Sequence, residues 1–185
     1  MTAQAYPKSA SSAPHPNARR IAWLYSAINV GDLAEIAACY DEEAYFEDIA
    51  FQRRGKCEIM EMWQFVCHGS TTVEFNANAI SADNWTGSGR WTAKYMFGKT
   101  ETRRGRPVEN DVISSFAFRS GLIIEHRDAC DPMAWARQAL PYPISLVVGS
   151  LAPVRRAMAA LKLDKFIRTE ARCLRSTTCT PEEQG

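Results

Sequence analysis

The chain lacks long apolar runs. No segment approaches the roughly 18–20 residues that span a bilayer, and the first residues lack the basic-then-apolar order of a secretory signal. It also lacks an excess of charge: 22 Lys and Arg face 21 Asp and Glu, a net of +1. That balance argues against a uniformly basic nucleic-acid binder. The six cysteines (Cys39, Cys57, Cys67, Cys130, Cys173 and Cys179) contain no CxxC pair. His15, His68 and His126 lie far apart, so the spacings of a structural zinc site are missing. Phosphate-cradling GxGxxG or GxxxxGK[ST] loops are absent too. Together these absences predict a cytoplasmic protein with free thiols, no metal, no cofactor and no nucleic-acid partner.

What is present suits one domain with its own core: 185 residues, 46% of them hydrophobic. Residues 1–16, rich in Ala, Ser and Pro, predict a disordered tail. Asn17 is placed to cap a helix from Ala18, with Ile21, Leu24, Tyr25 and Ile28 on one face, which Gly31 stops. Asp32 then caps a second helix, and Tyr45–Ile49 alternates like a short strand. A third helix runs from Lys56 to about Cys67 with Ile59, Met60, Trp63 and Val66 as its buried stripe. From Thr71 the pattern is extended. Val73, Phe75, Ala77 and Ala79 alternate, as do Trp85, Trp91, Ala93, Tyr95 and Phe97. After a basic tip at 99–106 come two strands, Val108–Phe118 and Leu122–Asp128, joined through Gly121. Asp131-Pro132 opens another helix. Early helices followed by a meander predict an α+β domain with helices on one face of a curved antiparallel sheet.

Two segments carry a resemblance. "YSAINVGDLAEIAACYDEEAYFEDIA" is similar to the opening of the NTF2-like superfamily, in particular its SnoaL-like and ketosteroid-isomerase-like members, and "FAFRSGLIIEHRDACDPMAWARQAL" resembles its last hairpin. The resemblance implies a cone-shaped α+β barrel with three packed helices, enclosing one apolar pocket, in a homodimer. The domain would occupy residues 17–140, with 141–185 a C-terminal helical extension that ends in a frayed tail. It also implies a hydrophobic ligand and a choice of chemistries among isomerisation, ring closure, epoxide opening and dehydration.

The candidate catalytic residues follow from this likeness and from strand parity. Asp48 falls where ketosteroid isomerases hold the carboxylate that moves a proton between carbons. That task needs partial desolvation, which Phe46 on the same strand face would provide. The competing reading makes Asp48 a rim residue bonded to the following turn. His126 and Asp128, two apart, share a strand face and match a His and an Asp of the SnoaL-like segment, although Arg127 replaces a Trp. His126 would shuttle a proton and Asp128 orient it, or the two form a structural pair; Asp131 is the alternative acid, or a helix cap. The isomerase's oxyanion donors do not carry over: the positions hold Leu24, with Tyr25 next to it, and Ser114.

For the pocket wall, Tyr25, Phe46, Trp63 and Trp91 are expected on the substrate side. Tyr95, Asn110, Ser114 and Phe116 join them, and Trp85 is a further aromatic candidate; the plain alternative is that the aromatics form ordinary core.

Residues 152–175 hold seven basic side chains against Asp164 and Glu170. This stretch fits an anionic membrane surface, a cap on the cone mouth, or packing on a partner subunit. The functional expectation is a cofactor-independent acid/base enzyme (isomerase, cyclase or dehydratase) acting on a steroid-, terpenoid- or polyketide-like molecule. The alternatives are a non-catalytic small-molecule or lipid binder, and a dimerisation or scaffold module with a membrane-surface C-terminal helix.

Overall fold

A computed structural model describes residues 13–68, 72–76, 79–98, 102 and 104–177, with side chains to residue 170. The expected tail falls outside these residues up to position 12, and so do Ala77, residues 99–101 and 103 of the basic tip, and the chain after 177.

Helix α1 (Pro16–Val30) starts earlier than the sequence pattern suggests. His15 is the cap, its Nδ1 accepting from the Asn17 backbone N–H at 3.2 Å. Asn17 is instead buried inside the first turn, where its side-chain amide donates to the Asp83 carbonyl at 2.8 Å. Asp32 caps α2 (Leu33–Cys39) as expected, accepting from Ala34 and Glu35. Strands β1 (Tyr40–Glu47) and β2 (Gln52–Arg54) form a hairpin that leads into α3 (Lys56–His68). Ile59, Met62 and Trp63 are the fully buried residues of α3, while Met60 and Val66 are half-buried.

Strands β3 (Thr72–Phe75), β4 (Ser81–Ala82), β5 (Thr86–Phe97), β6 (Arg106–Arg119) and β7 (Leu122–Ala129) complete a seven-stranded sheet. Its order is β2-β1-β7-β6-β5-β3, with β4 paired to β5. The β6–β7 turn places Ser120 and Gly121 at φ of 52° and 77°, the left-handed pair a tight hairpin requires. The sheet is mixed rather than wholly antiparallel: β1 runs parallel to β7, with Phe46 opposite His126. Helices α1–α3 cover its inner face, and Ile21, Leu24, Tyr25, Ile36, Ile59 and Trp63 pack there with Phe116, Phe118 and Ile123. This is the α+β NTF2-like cone.

Three helices follow: α4 (Pro132–Ala139), α5 (Ile144–Ser150) and α6 (Ala152–Thr177). Asp131 caps α4, accepting from Met133 and Ala134 at 2.8 and 3.1 Å. Trp135, Ala136 and Ala139 build a small second core with Val108 and Val148. Ala159 and Leu163 of α6 enter the main core, and Phe166 meets Phe65 of α3 with ring centroids 5.5 Å apart.

Candidate functional site

Sheet register assembles the site in two adjacent rows. Across one row Phe46, His126 and Phe116 are neighbours, and across the next Asp128, Ser114 and Gly89. Because β1 and β7 are parallel and Phe46 pairs with His126, Asp48 just past β1 comes level with Asp128. Inward parity of β7 continues from His126 through Asp128 to Cys130.

His126 is wholly buried. Rings enclose it: Phe46 edge-on at 5.0 Å, Phe116 at 4.4 Å, Tyr40 at 6.1 Å and Trp63 at 6.4 Å between centroids. Its Nδ1 lies 2.7 Å from the Tyr40 hydroxyl and its Nε2 2.9 Å from Asp128 Oδ1. Trp63 Nε1–H donates to the Tyr40 oxygen at 3.2 Å. With Asp128 Oδ1 as an acceptor, Nε2 carries a hydrogen towards it, and in the neutral ring Nδ1 then accepts from the Tyr40 hydroxyl. From the other side Trp91 Nε1–H donates to Ser114 Oγ at 2.9 Å, and Ser114 donates to the same Asp128 oxygen. Asp128 Oδ1 is thus approached by both His126 Nε2 and the Ser114 hydroxyl.

Asp48 is bonded to the turn that follows it. Its Oδ1 accepts from the Ala50 N–H at 2.7 Å and from the Phe51 N–H, an Asx turn that holds the loop after β1. Yet burial pushes its carboxyl up to about 6, with the Asp128 charge adding to the rise against those two backbone bonds. The residue as a whole is half-buried.

Cys130 and Tyr95 share that surround. Burial raises the Cys130 thiol to about 12, helped by the Asp48 and Asp128 charges, which makes it a poor nucleophile. Burial likewise raises Tyr95 to about 12; its hydroxyl accepts from Trp135 Nε1 at 2.8 Å and neighbours Asn110. An open groove of about 700 Å³ is lined by Trp91, Val112 and Cys130 together with Arg90, Asp111 and Asp131; Asp48, His126, Asp128 and Ser114 are not among its lining residues.

Tyr25 lies completely buried, turned towards the sheet instead of the cone mouth. Its hydroxyl approaches Ser114 but makes no hydrogen bond within ordinary geometry, and burial raises its pKa. It fits only because residue 89 is glycine: a Cβ there would stand 2.5 Å from the Tyr25 oxygen.

The structure therefore brings Asp48, His126, Asp128, Ser114 and Trp91 together, with Tyr95 and Asn110 nearby. Phe46, Trp63 and Phe116 form the jacket of His126. Trp85 is corrected: it is 73% exposed in the turn before β5, where parity alone had placed it inward. Asp131 is an exposed helix cap. Three participants escaped the sequence reading. Cys130 was available from its parity with His126 and Asp128. Tyr40 stands at a helix–strand junction where neither period applies. Arg155 looked like one more member of a basic run.

Arg155 is buried in α6. Its Nε donates to the Ile49 carbonyl at 2.6 Å, and one terminal nitrogen donates to the Val148 and Gly149 carbonyls at 3.0 Å each. Arg156 pairs with Glu47 at 2.8 Å. The extension is thus fastened to both residues that flank Asp48. Among the described residues no group of three His, Cys, Asp or Glu is placed to hold a metal ion.

A family model for the SnoaL-like domain matches residues 21–126, more than half of the chain. The chain belongs to the SnoaL-like family. Solved structures with the same fold include an epoxide hydrolase of the LEH-like type from M. tuberculosis, at 20% identity and TM-score 0.55, over 72% of this chain and 96% of that one. The putative polyketide cyclase IdmH from Streptomyces antibioticus aligns at 22% identity and TM-score 0.55, over 67% and 98%. A putative polyketide cyclase from Xanthomonas campestris gives 14% and 0.58, over 66% and 96%. A search of curated proteins gave no match. The SnoaL-like match ends at His126, so Asp128 and helices α4–α6 lie beyond it. No single helix among the described residues is long and apolar enough to cross a membrane.

Proposed function

We propose that this SnoaL-like protein is a cofactor-independent acid/base enzyme of isomerase, cyclase or dehydratase type. Its substrate is a hydrophobic carbonyl or hydroxyl compound, steroid-, terpenoid- or polyketide-like, held inside the cone. The observation that carries this reading is the Asp48 carboxyl, raised to about 6 by burial and brought level with Asp128 by the parallel β1–β7 pairing. A carboxyl titrating there can both take and return a proton near neutral pH.

In this reading the free oxygen of Asp48 is the base, since its partner oxygen is occupied by the Asx turn. Asp128, held by His126 and Ser114, is the second proton-transfer group. His126 acts through Asp128 as a positioning residue, because both of its ring nitrogens are engaged and the ring is sealed off. Trp91, Tyr95 and Asn110 provide ligand contacts. Structural neighbours named as polyketide cyclases and as an epoxide hydrolase-like protein support small-molecule chemistry on this fold. The reading includes a homodimer, which sedimentation velocity tests. With Cys39, Cys57, Cys67 and Cys130 free thiols, it also includes a reducing, cytoplasmic setting.

The test is native mass spectrometry of the protein against steroids, terpenoids and aromatic polyketides, followed for turnover and repeated with Asp48→Asn. A ligand held by both proteins and converted by the wild type alone supports the assignment. A ligand held unchanged by both makes the protein a binder, and the absence of any ligand favours a scaffold role.

A further inference from the structure

Helix α5 wears its side chains the wrong way round for water. The face turned to the protein carries Ser145, Val148 and Gly149, with Gly149 so close to Met133 and Ala136 that a Cβ would stand 3.0–3.1 Å from them. The outward side carries Ile144, Leu146 and Val147, and the exposed stripe continues through Leu151 and Val154. Tyr142, at the start of the elbow, is 79% exposed. A surface helix ordinarily turns such residues inward. Segment 141–154 contains no charged residue at all. At its end the chain bends by 102° into α6, whose exposed cations include Lys165 and Arg168, with Arg172 and Arg175 further along the helix.

From this we propose that the α5–α6 elbow docks the protein on an anionic membrane surface. Ile144, Val147 and Leu151 enter the acyl boundary, Tyr142 sits at headgroup level, and the basic face of α6 meets the lipid phosphates. An uncharged apolar wedge followed by a cationic helix supplies both forces that such an interface rewards, apolar burial and charge attraction. A second copy of the chain is a poorer occupant: a two-fold contact through the elbow brings two basic α6 stretches into one neighbourhood. The sequence alone pointed to the basic helix as the membrane element; the structure moves the inserted part to the elbow before it. Arg155 joins α5 and α6 to Ile49, beside Asp48, so a bilayer-dissolved ligand would arrive next to the site. The docking itself stands whether or not Asp48 is catalytic.

The test is flotation of the full chain with vesicles of phosphatidylcholine alone, and with phosphatidylserine added at about one part in four. Wild type is expected to float with the anionic vesicles, and less so as salt rises. Val147→Asp/Leu151→Asp, at exposed positions, should lower that partition by about tenfold or more. Lys165→Glu/Arg168→Glu should lower it by about tenfold, with the salt dependence gone. Wild type left unbound with anionic vesicles overturns the proposal, and so does a Val147→Asp/Leu151→Asp variant that floats as well as wild type. If wild type is instead a dimer that these two substitutions turn into a monomer, with neither protein binding vesicles, the elbow is a self-association surface and the proposal falls.

Discussion

The Ile49 carbonyl receives the Nε hydrogen of Arg155 at 2.6 Å, so the last helix is tied to the residue next to Asp48. The same guanidinium closes the α5–α6 corner through Val148 and Gly149. Arg155→Ala should leave three backbone carbonyls short of a charged donor and cost about 2–5 kcal/mol. Urea denaturation reads the loss. Hydrogen exchange should show faster opening at residues 48–51 than elsewhere in β1, while Arg156→Ala, which removes a partly exposed pair with Glu47, should cost under about 1 kcal/mol.

Asp48 predicts an unusual pH dependence. Its carboxyl is raised in the folded state, from the ordinary 3.8 to about 6. Folded protein therefore holds this proton over a range where unfolded chain has released it, and Asp48 lowers stability as pH rises from about 4 to about 6. Asp48→Asn keeps an oxygen for the Asx turn and should flatten that slope, leaving the variant at least as stable as wild type at pH 8. Thermal melts across pH 4–8 measure it. Turnover should rise with pH towards a plateau above about 6 as the base form fills, and Asp48→Asn should lower it about 100-fold or more with ligand affinity kept.

Tyr40 and Asp128 hold the His126 ring between them. Tyr40→Phe leaves the Trp63 indole N–H and His126 Nδ1 without their partner, a loss of about 1–3 kcal/mol by urea denaturation. The ring is then held by Asp128 alone, and its orientation loosens. If His126 acts by positioning Asp128, kcat falls about tenfold or more while ligand affinity is unchanged.

Tyr25 and Gly89 should behave as a pair. The buried Tyr25 hydroxyl lacks a hydrogen bond, so Tyr25→Phe is expected to be neutral or to stabilise by about 1 kcal/mol. Gly89→Ala drives a Cβ to 2.5 Å from that oxygen and should cost about 1–3 kcal/mol. Combining the two should recover part of the loss, which a double-mutant cycle quantifies.

Much of the site was legible because strand parity is local. The period of two put His126 with Asp128, and Asn110 with Ser114 and Phe116, on shared faces. Asp131 before Pro132 announced a helix start, and the structure places the cap there. Local patterns failed where a neighbour distant in sequence took over. Asn17 has the chemistry of a cap, but the carbonyls of Asp83 and Asn84 claim its amide and His15 takes the role. Trp85 has strand-like spacing, yet it sits in the turn before β5 begins.

By itself, the sequence determined most of the helices and strands and the shared face of His126 and Asp128, because helix and strand periods and turn residues act over a few neighbours; the SnoaL-like cone followed from the resemblance of two segments. Tertiary structure decided that Asp48 comes level with Asp128. Parallel pairing of β1 with β7 carries the two carboxylates along in step; an antiparallel pairing with the same contact between Phe46 and His126 would carry them apart at about 3.3 Å per residue on each strand. It also decided that, of Arg155, Arg156, Lys162, Lys165 and Arg168 in α6, Arg155 is the buried one. Arg155 differs from its neighbours in nothing but the three carbonyls that the folded chain sets around it.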